Sequence, residues 1–220
     1  MKRNCSILAA LAASVLALAL PNFAARADSA DAWGSNSAGQ IGDGTAIDRH
    51  SPFAIPSLNS GVTAVAAGGY HSLVIQNGAV YAIGSNFYGQ LGDGTTTNES
   101  SPILVPGLTT GVTAIAGGYD HSLALKGGAV FAWGSNSNGQ LGDGTTTQRT
   151  SPVAIPSLAS NVTAIAGGGL HSLALQSGAV YAWGFNNFGT LGDGTTTQRT
   201  SPVGIASLAS GVTAISAGDT

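Results

Sequence analysis

The chain has 220 residues, with 7 Lys and Arg against 10 Asp and Glu, and only 8% of its residues are charged, where an average protein carries about 25%. Beyond the N-terminal segment the basic residues are Arg49, Lys126, Arg149 and Arg199 alone, so there is no basic stripe and nucleic acid is excluded as an expected partner. The single cysteine, Cys5, lies in the first 27 residues, which takes disulfides, thiolate catalysis and cysteine-ligated zinc away from everything after it.

Residues 1–27 read as a leader. Lys2 and Arg3 precede an apolar run over residues 7–20, and Ala25-Arg26-Ala27 supplies a small-residue cleavage site, the order of a secretory signal peptide. The run of 14 apolar residues before Pro21 is short of the roughly 20 that span a bilayer. The expectation is an exported chain, secreted or periplasmic, with residues 28–220 as the mature domain and no membrane span once the leader is gone. Three of the seven basic residues leave with the leader, so the mature net charge is 4 minus 10, or −6.

From there a 50-residue unit is written almost four times without insertion or deletion. A glycine recurs at Gly34, Gly84, Gly134 and Gly184; a G-D-G-T turn starts at Gly42, Gly92, Gly142 and Gly192; a Ser-Pro pair ends at Pro52, Pro102, Pro152 and Pro202. A fixed period of this size marks a propeller or solenoid. Within the unit, apolar residues alternate with period two and are cut by glycine, a strand signal. In the copy that starts at Val112, residues 112–116, 121–125 and 129–133 alternate, and a long loop over 134–150 leads to a fourth strand at 151–155. The pairs Asn77-Gly78, Gly127-Gly128 and Ser177-Gly178 suit primed two-residue turns joining the second and third strands. No segment keeps a 3.6-residue apolar stripe, so no helix is expected in the mature chain.

Four short antiparallel strands per unit make a propeller blade. A single blade has two apolar faces and must stack on its neighbours, with Leu123, Leu125, Val130 and Phe131 and their equivalents as the inter-blade core. Ala114, Ala116, Gly117 and Gly118 are small enough for the crowded centre.

The string G-G-Y-D-H-S-L-A-L over 117–125, followed by A-W-G-S-N-S-N-G-Q-L-G-D-G-T over 132–145, resembles the repeat of the regulator of chromosome condensation family. The likeness runs from about Ala32 onward, with His71-Ser-Leu, His171-Ser-Leu, Gly89-Gln-Leu-Gly and Gly39-Gln-Ile-Gly in phase. It implies an all-β, usually seven-bladed β-propeller that binds another protein and has no active site of its own. Eukaryotic members include chromatin-bound exchange factors for a small GTPase, and secreted bacterial relatives include a propeller-type β-lactamase inhibitor protein, the nearer relative in setting for an exported chain.

The chain departs from the family in length. Third and fourth strands come first, then three full sets of four, then one first strand over 212–216, making fifteen. That is about four blades of an expected seven, an incomplete ring. Three readings follow: a fragment of a longer product, an open arc that covers its edges by self-association, or a tight four-bladed ring lacking one second strand.

Because the copies are so alike, a specialised residue should stand out as a break in the pattern. The breaks are Ile83 against Trp33, Trp133 and Trp183; Phe87-Tyr88 and Asn187-Phe188 against Ser-Ala or Ser-Asn; and Thr190 in place of glutamine. Loop aromatics are favoured protein-binding anchors, so Phe87, Tyr88, Phe185 and Phe188 form the candidate contact surface; the alternative is that they pack on their own loops. His71, His121 and His171, one per blade, read as structural histidines hydrogen-bonded to backbone of their own or the next blade rather than metal ligands. Asp43, Asp93, Asp143 and Asp193 read as turn formers, since no EF-hand ligand spacing or closing glutamate accompanies them. No nucleophile elbow, P-loop or H-E-x-x-H is present, and no catalytic residue, metal or cofactor is expected. The leading expectation is an exported, non-enzymatic protein that binds another protein through its loops, in its sharpest form an enzyme inhibitor. The alternatives are a structural or cell-surface module of a larger repeat protein and exchange activity on a small GTPase, which the expected export opposes.

Overall fold

The computed structural model describes residues 29–219; the expected leader lies outside them. The alternating segments form fourteen strands. β1 (Asp31–Gly34) and β2 (Arg49–Ala54) pair as a half-blade. Three complete blades follow, each a four-stranded antiparallel meander. The first holds β3 (Val62–Ala67), β4 (His71–Gln76), β5 (Ala79–Gly84) and β6 (Glu99–Leu104). The second holds β7 (Val112–Gly117), β8 (His121–Lys126), β9 (Ala129–Gly134) and β10 (Arg149–Ala154). The third holds β11 (Val162–Gly167), β12 (His171–Gln176), β13 (Ala179–Gly184) and β14 (Arg199–Gly204). The expected incomplete propeller is therefore present, as an arc of blades not closed into a ring.

The turns joining second and third strands take the geometry expected of them: Asn77 and Gly78 have φ of 50° and 76°, and Gly127 and Gly128 have 59° and 80°. Positive φ at both central residues matches the turn to the right-handed twist of the flanking strands. The fifteenth strand does not form. Residues 212–219 lie along the edge of the third blade, with the Val212 N–H donating to the Gly178 carbonyl at 3.1 Å, and form no ladder among the described residues. The only helical pieces among the described residues are three single 3-10 turns, at Pro56–Leu58, Pro156–Leu158 and Ala206–Leu208.

The apolar core is divided into slabs between successive blades. Leu123, Leu125, Val130 and Ala132 of the second blade pack against Ala174 and Trp183 of the third. Phe131, on the opposite face by strand alternation, packs partly buried into the slab between the first and second blades, against Trp133 and Leu73. Each fully buried Leu or Val in these slabs contributes about 1.5–3 kcal/mol, so the interface between blades is the main source of stability.

Polar groups close the same interfaces. The loop after the third strand crosses to the next blade, where Gly94 N–H donates to the Thr150 carbonyl at 2.8 Å and Gly144 N–H to the Thr200 carbonyl at 2.9 Å. Trp133 Nε1 donates to the Gln90 carbonyl and Trp183 Nε1 to the Gln140 carbonyl, both at 2.8 Å. Gly92 and Gly142 make room for these rings, since a Cβ on either would lie 2.7 Å from the indole nitrogen. Ile83 cannot make this bond, and the Gln40 carbonyl keeps the Ser72 hydroxyl as donor at 2.9 Å.

Candidate protein-docking face

The loops between first and second strands and those between third and fourth strands emerge on the same face. Ser85 N–H donates to the Tyr70 carbonyl, Ser135 N–H to the Asp120 carbonyl and Phe185 N–H to the Leu170 carbonyl, each at 2.9 Å. At the hub this face holds an open cavity of about 860 Å³, lined by glycine backbone with Tyr70, Tyr119, Asp48 and Asp219 around it.

The candidate aromatics divide. Phe87, Tyr88 and Phe188 are 69%, 45% and 80% exposed, pointing outward from their loops. Phe185 is half-buried and meets Phe188 edge to face, with centroids 5.9 Å apart, so it packs on its own loop. Phe87 and Tyr88 belong to the first blade, Phe185 and Phe188 to the third; the face does not gather all four into one patch.

Two hub positions that repeat comparison also marks as variable join the first pair. Tyr70, Asp120 and Leu170 share one register position, and Gly69, Tyr119, Gly169 and Asp219 another. Their variation is as plain in the sequence as that of residues 87 and 88; it escapes notice because glycine-rich strand ends read as linker. Tyr70 and Tyr119 meet edge to face at 6.0 Å, and both are exposed. Tyr88 N–H donates to Gln90 Oε1 at 2.9 Å, and Gln90 Nε2 donates to Asp120 Oδ1 at 3.2 Å. Through these bonds Tyr119, Tyr70, the 85–90 loop and Asp120 form one continuous surface. Burial pushes the Asp120 carboxyl above the usual carboxylate range.

The same loop carries unmatched negative charge. Asp43 Oδ1 accepts the Thr45 N–H at 2.9 Å, and Asp43 Oδ2 accepts Arg49 Nε at 2.6 Å. Arg149 and Arg199 engage Asp143 and Asp193 in the same way, at 2.7 Å for each ion pair. Burial alone would raise the Asp43 and Asp143 carboxyls, but hydrogen bonds from the neighbouring threonine and arginine outweigh it and hold both below the usual range. Asp193 lies lower as well, first because of the Thr195 hydroxyl and then the Arg199 guanidinium. In the first blade Asp93 keeps the turn, with Thr95 N–H at 2.9 Å, but Glu99 occupies the arginine position. The aspartates thus pin the turns, and in three of four copies the turn also clamps the arginine six residues on, a partner that sequence reasoning left out.

His71 and His121 are buried between blades and meet a serine side chain of the next blade rather than the expected backbone, while His171 is buried on the third blade. His71 Nε2 lies 2.9 Å from Ser122 Oγ, and His121 Nε2 lies 2.9 Å from Ser172 Oγ. Each serine hydroxyl donates onward, Ser122 to the Gln90 carbonyl at 2.7 Å and Ser172 to the Gln140 carbonyl at 2.8 Å. With its proton committed, the serine accepts, so Nε2 carries the histidine proton. Burial pushes His71 down to about 4. Burial first, and then the neighbouring His71 and His171, push His121 down to about 3. A Ser–His contact of this kind offers no attacking hydroxyl, because the serine proton points to a carbonyl and both groups are closed from solvent. Among the described residues no group of three or more His, Cys, Asp or Glu is placed to hold a metal, and no helix is long and apolar enough to cross a membrane.

Solved structures similar to this chain include three with a TM-score of 0.68. Human WBSCR16 is 28% identical over 80% of this chain and 47% of its own. Yeast RCC1 (Prp20), seen bound to Kap60, is 22% identical over 81% of this chain and 44% of its own. Prp20p from Saccharomyces cerevisiae, described with its binding to Gsp1p and histones, is 21% identical over 84% of this chain and 52% of its own. The chain thus spans about half the length of each. No curated protein sequence matches it.

These relatives correct the reading of an exported inhibitor, secreted or periplasmic. They include no secreted inhibitor, and the partners named for Prp20 are Kap60, Gsp1p and histones, the last being nuclear proteins. The error has a physical source: the repeat encodes blade packing, which is the same in every compartment, so residues 1–27 alone carried the assignment, through Lys2 and Arg3, the apolar run over 7–20 and the Ala25-Arg26-Ala27 site. The family match begins at residue 18, inside that leader segment. Because that match, to the RCC1-like domain, runs over residues 18–220, on blades whose loops and inter-blade bonds repeat with the same register, the chain belongs to the RCC1-like domain family.

Proposed function

We propose that this chain is a protein-docking segment of an RCC1-type propeller and that it engages a partner with a basic surface through the loop face shared by its first and second blades. The observation that carries the reading is the concentration of repeat breaks there. Exposed Phe87 and Tyr88, the Tyr70–Tyr119 pair, Asp120, and an Asp93 turn with glutamate in place of arginine all lie on one surface. Exposed aromatics supply contact area at low entropic cost, and carboxylates without a matching guanidinium favour a cationic partner. Histones, named among the partners of Prp20p, have that chemistry.

Titration calorimetry of the chain against purified histones tests this. Phe87→Ala with Tyr88→Ala should weaken binding at least tenfold, about 1.4 kcal/mol, with far-UV circular dichroism unchanged. Binding that is absent, or indifferent to both substitutions, refutes it. The likeness to Prp20p, described with its binding to Gsp1p, favours a second reading: nucleotide exchange on a small GTPase. Release of fluorescent GDP from Gsp1p should then accelerate when the chain is added; unchanged release leaves docking alone.

A further inference from the structure

We propose that the corner between Tyr70 and Tyr119 is a recognition site for a trimethylated lysine side chain on the partner. This ligand class rests on the docking reading above and names what the loop face takes hold of.

The corner is built once. Tyr70 shares its register position with Asp120 and Leu170, and Tyr119 shares its own with Gly69, Gly169 and Asp219, so only the junction of the first and second blades sets one tyrosine against another. Both blades are complete and have a described neighbour on either side. The two ring planes meet at 87° with centroids 6.0 Å apart. A hydrogen bond between the two side chains, and then burial, hold the Tyr119 phenol above its usual range. Gly69 seats the second ring: its N–H donates to the Tyr119 carbonyl at 3.0 Å, and a Cβ there would lie 2.8 Å from that carbonyl and 3.2 Å from the ring. Tyr70 and Tyr119 nevertheless stay 42% and 45% exposed. The walls are thus fixed before a ligand arrives, which lowers the ordering cost of binding.

The surroundings select a cation. Asp120 acts electrostatically on the Tyr119 hydroxyl, and the hub cavity that both tyrosines line includes Asp48 and no Lys, Arg or His among the described residues. The chain's own cations are engaged elsewhere. Arg49, Arg149 and Arg199 are paired with aspartates, and Lys126 Nζ donates to the Gly107 carbonyl at 3.0 Å, at the end of β8 away from these loops. A cation is attracted to a tyrosine face within about 6 Å of the ring centroid, so one cation in the corner reaches both rings. Methylation decides which cation fits. An unmodified ammonium is strongly hydrated and brings three N–H donors, but the acceptors beside the pair are already in use. The Gly118 and Tyr119 carbonyls accept from Gly69 N–H at 3.3 and 3.0 Å, and the Tyr70 and Asp120 carbonyls accept from Ser85 and Ser135 N–H at 2.9 Å. Asp120 Oδ1 accepts the Gln90 amide at 3.2 Å. A trimethylammonium head has no donor to leave unmatched, and its methyl groups pack on the two rings.

Calorimetry of the full chain against one short basic peptide, with its central lysine either unmodified or trimethylated, tests this. The trimethylated form should bind at least tenfold tighter. Tyr119→Ala should abolish the difference and Tyr119→Phe, which keeps the ring, should retain most of it, with far-UV circular dichroism unchanged in both. Tetramethylammonium should displace the trimethylated peptide, and ammonium should not. Equal affinity for the two peptides, binding of neither, or a preference that survives both Tyr70→Ala and Tyr119→Ala overturns the proposal. Histone binding that still depends on Phe87 and Tyr88 would then leave docking standing without the methyl-lysine site, whereas loss of histone binding as well would overturn both.

Discussion

Acidification from pH 7 to pH 5 should destabilise this fold through its buried histidines, and the size of the loss follows from their surroundings. In the unfolded chain an imidazole titrates near 6.5, while burial pushes His71 down to about 4 and His121 down to about 3. Between those values the unfolded state binds more protons than the folded one, so stability rises with pH and is lost as pH falls below 6.5. At pH 5 each unfolded histidine lies about 1.5 units above ambient pH and is almost fully protonated, while its folded counterpart stays neutral. At about 1.36 kcal/mol per unit, each costs about 2 kcal/mol and the two together about 4 kcal/mol. His171 is lowered by burial too and adds in the same sense. The depressed carboxyls of Asp43 and Asp143 contribute stability that is lost only as pH falls through and below about 3.8, outside this interval. Asp120, raised by burial, acts in the opposite sense, because its folded form takes up a proton first. Urea unfolding at pH 7, 6 and 5 reads the sum, and His121→Gln, which keeps an N–H donor for Ser172 without a titrating ring, should remove about half of the loss. A midpoint that does not move between pH 7 and 5, or a His121→Gln variant that retains the full loss, would refute the reasoning.

Glu99→Arg should restore beside Asp93 the ion pair that Arg49, Arg149 and Arg199 make in the other copies. The expected gain of about 0.3–1 kcal/mol raises the melting temperature by about 1–3 °C and shrinks with added salt; no rise in calorimetry would count against the clamp. Gly118→Ala places a Cβ 2.0 Å from His121 Cε1, which forces the ring away from Ser172 and should cost about 1–3 kcal/mol in urea unfolding. Gly218→Ala, at the same register position with nothing within 4 Å, should be neutral, and equal effects at the two glycines would show that the histidine contact is not the cause.

The sequence by itself determined the blade. Period-two alternation fixes which side chains enter a slab, and the two-residue turns fix the hairpins. The 50-residue spacing then places every blade in the same register, because these are local or nearest-neighbour matters. It also showed Phe87, Tyr88 and Phe188 as breaks in a repeated text. Only the tertiary structure decided what the repeated polar residues do. The His71–Ser122 contact joins residues 51 apart, and Trp183 reaches a carbonyl 43 residues back; neither separation follows from a strand pattern. It also separated Phe185, turned onto its own loop, from Phe188, and joined Tyr119 to Tyr70 across two blades. Residues 212–216 carry the alternation of a first strand yet form none. Alternation states which faces are apolar, but a strand exists only when a partner supplies its hydrogen bonds, and that partner is set by the arc and not by the segment.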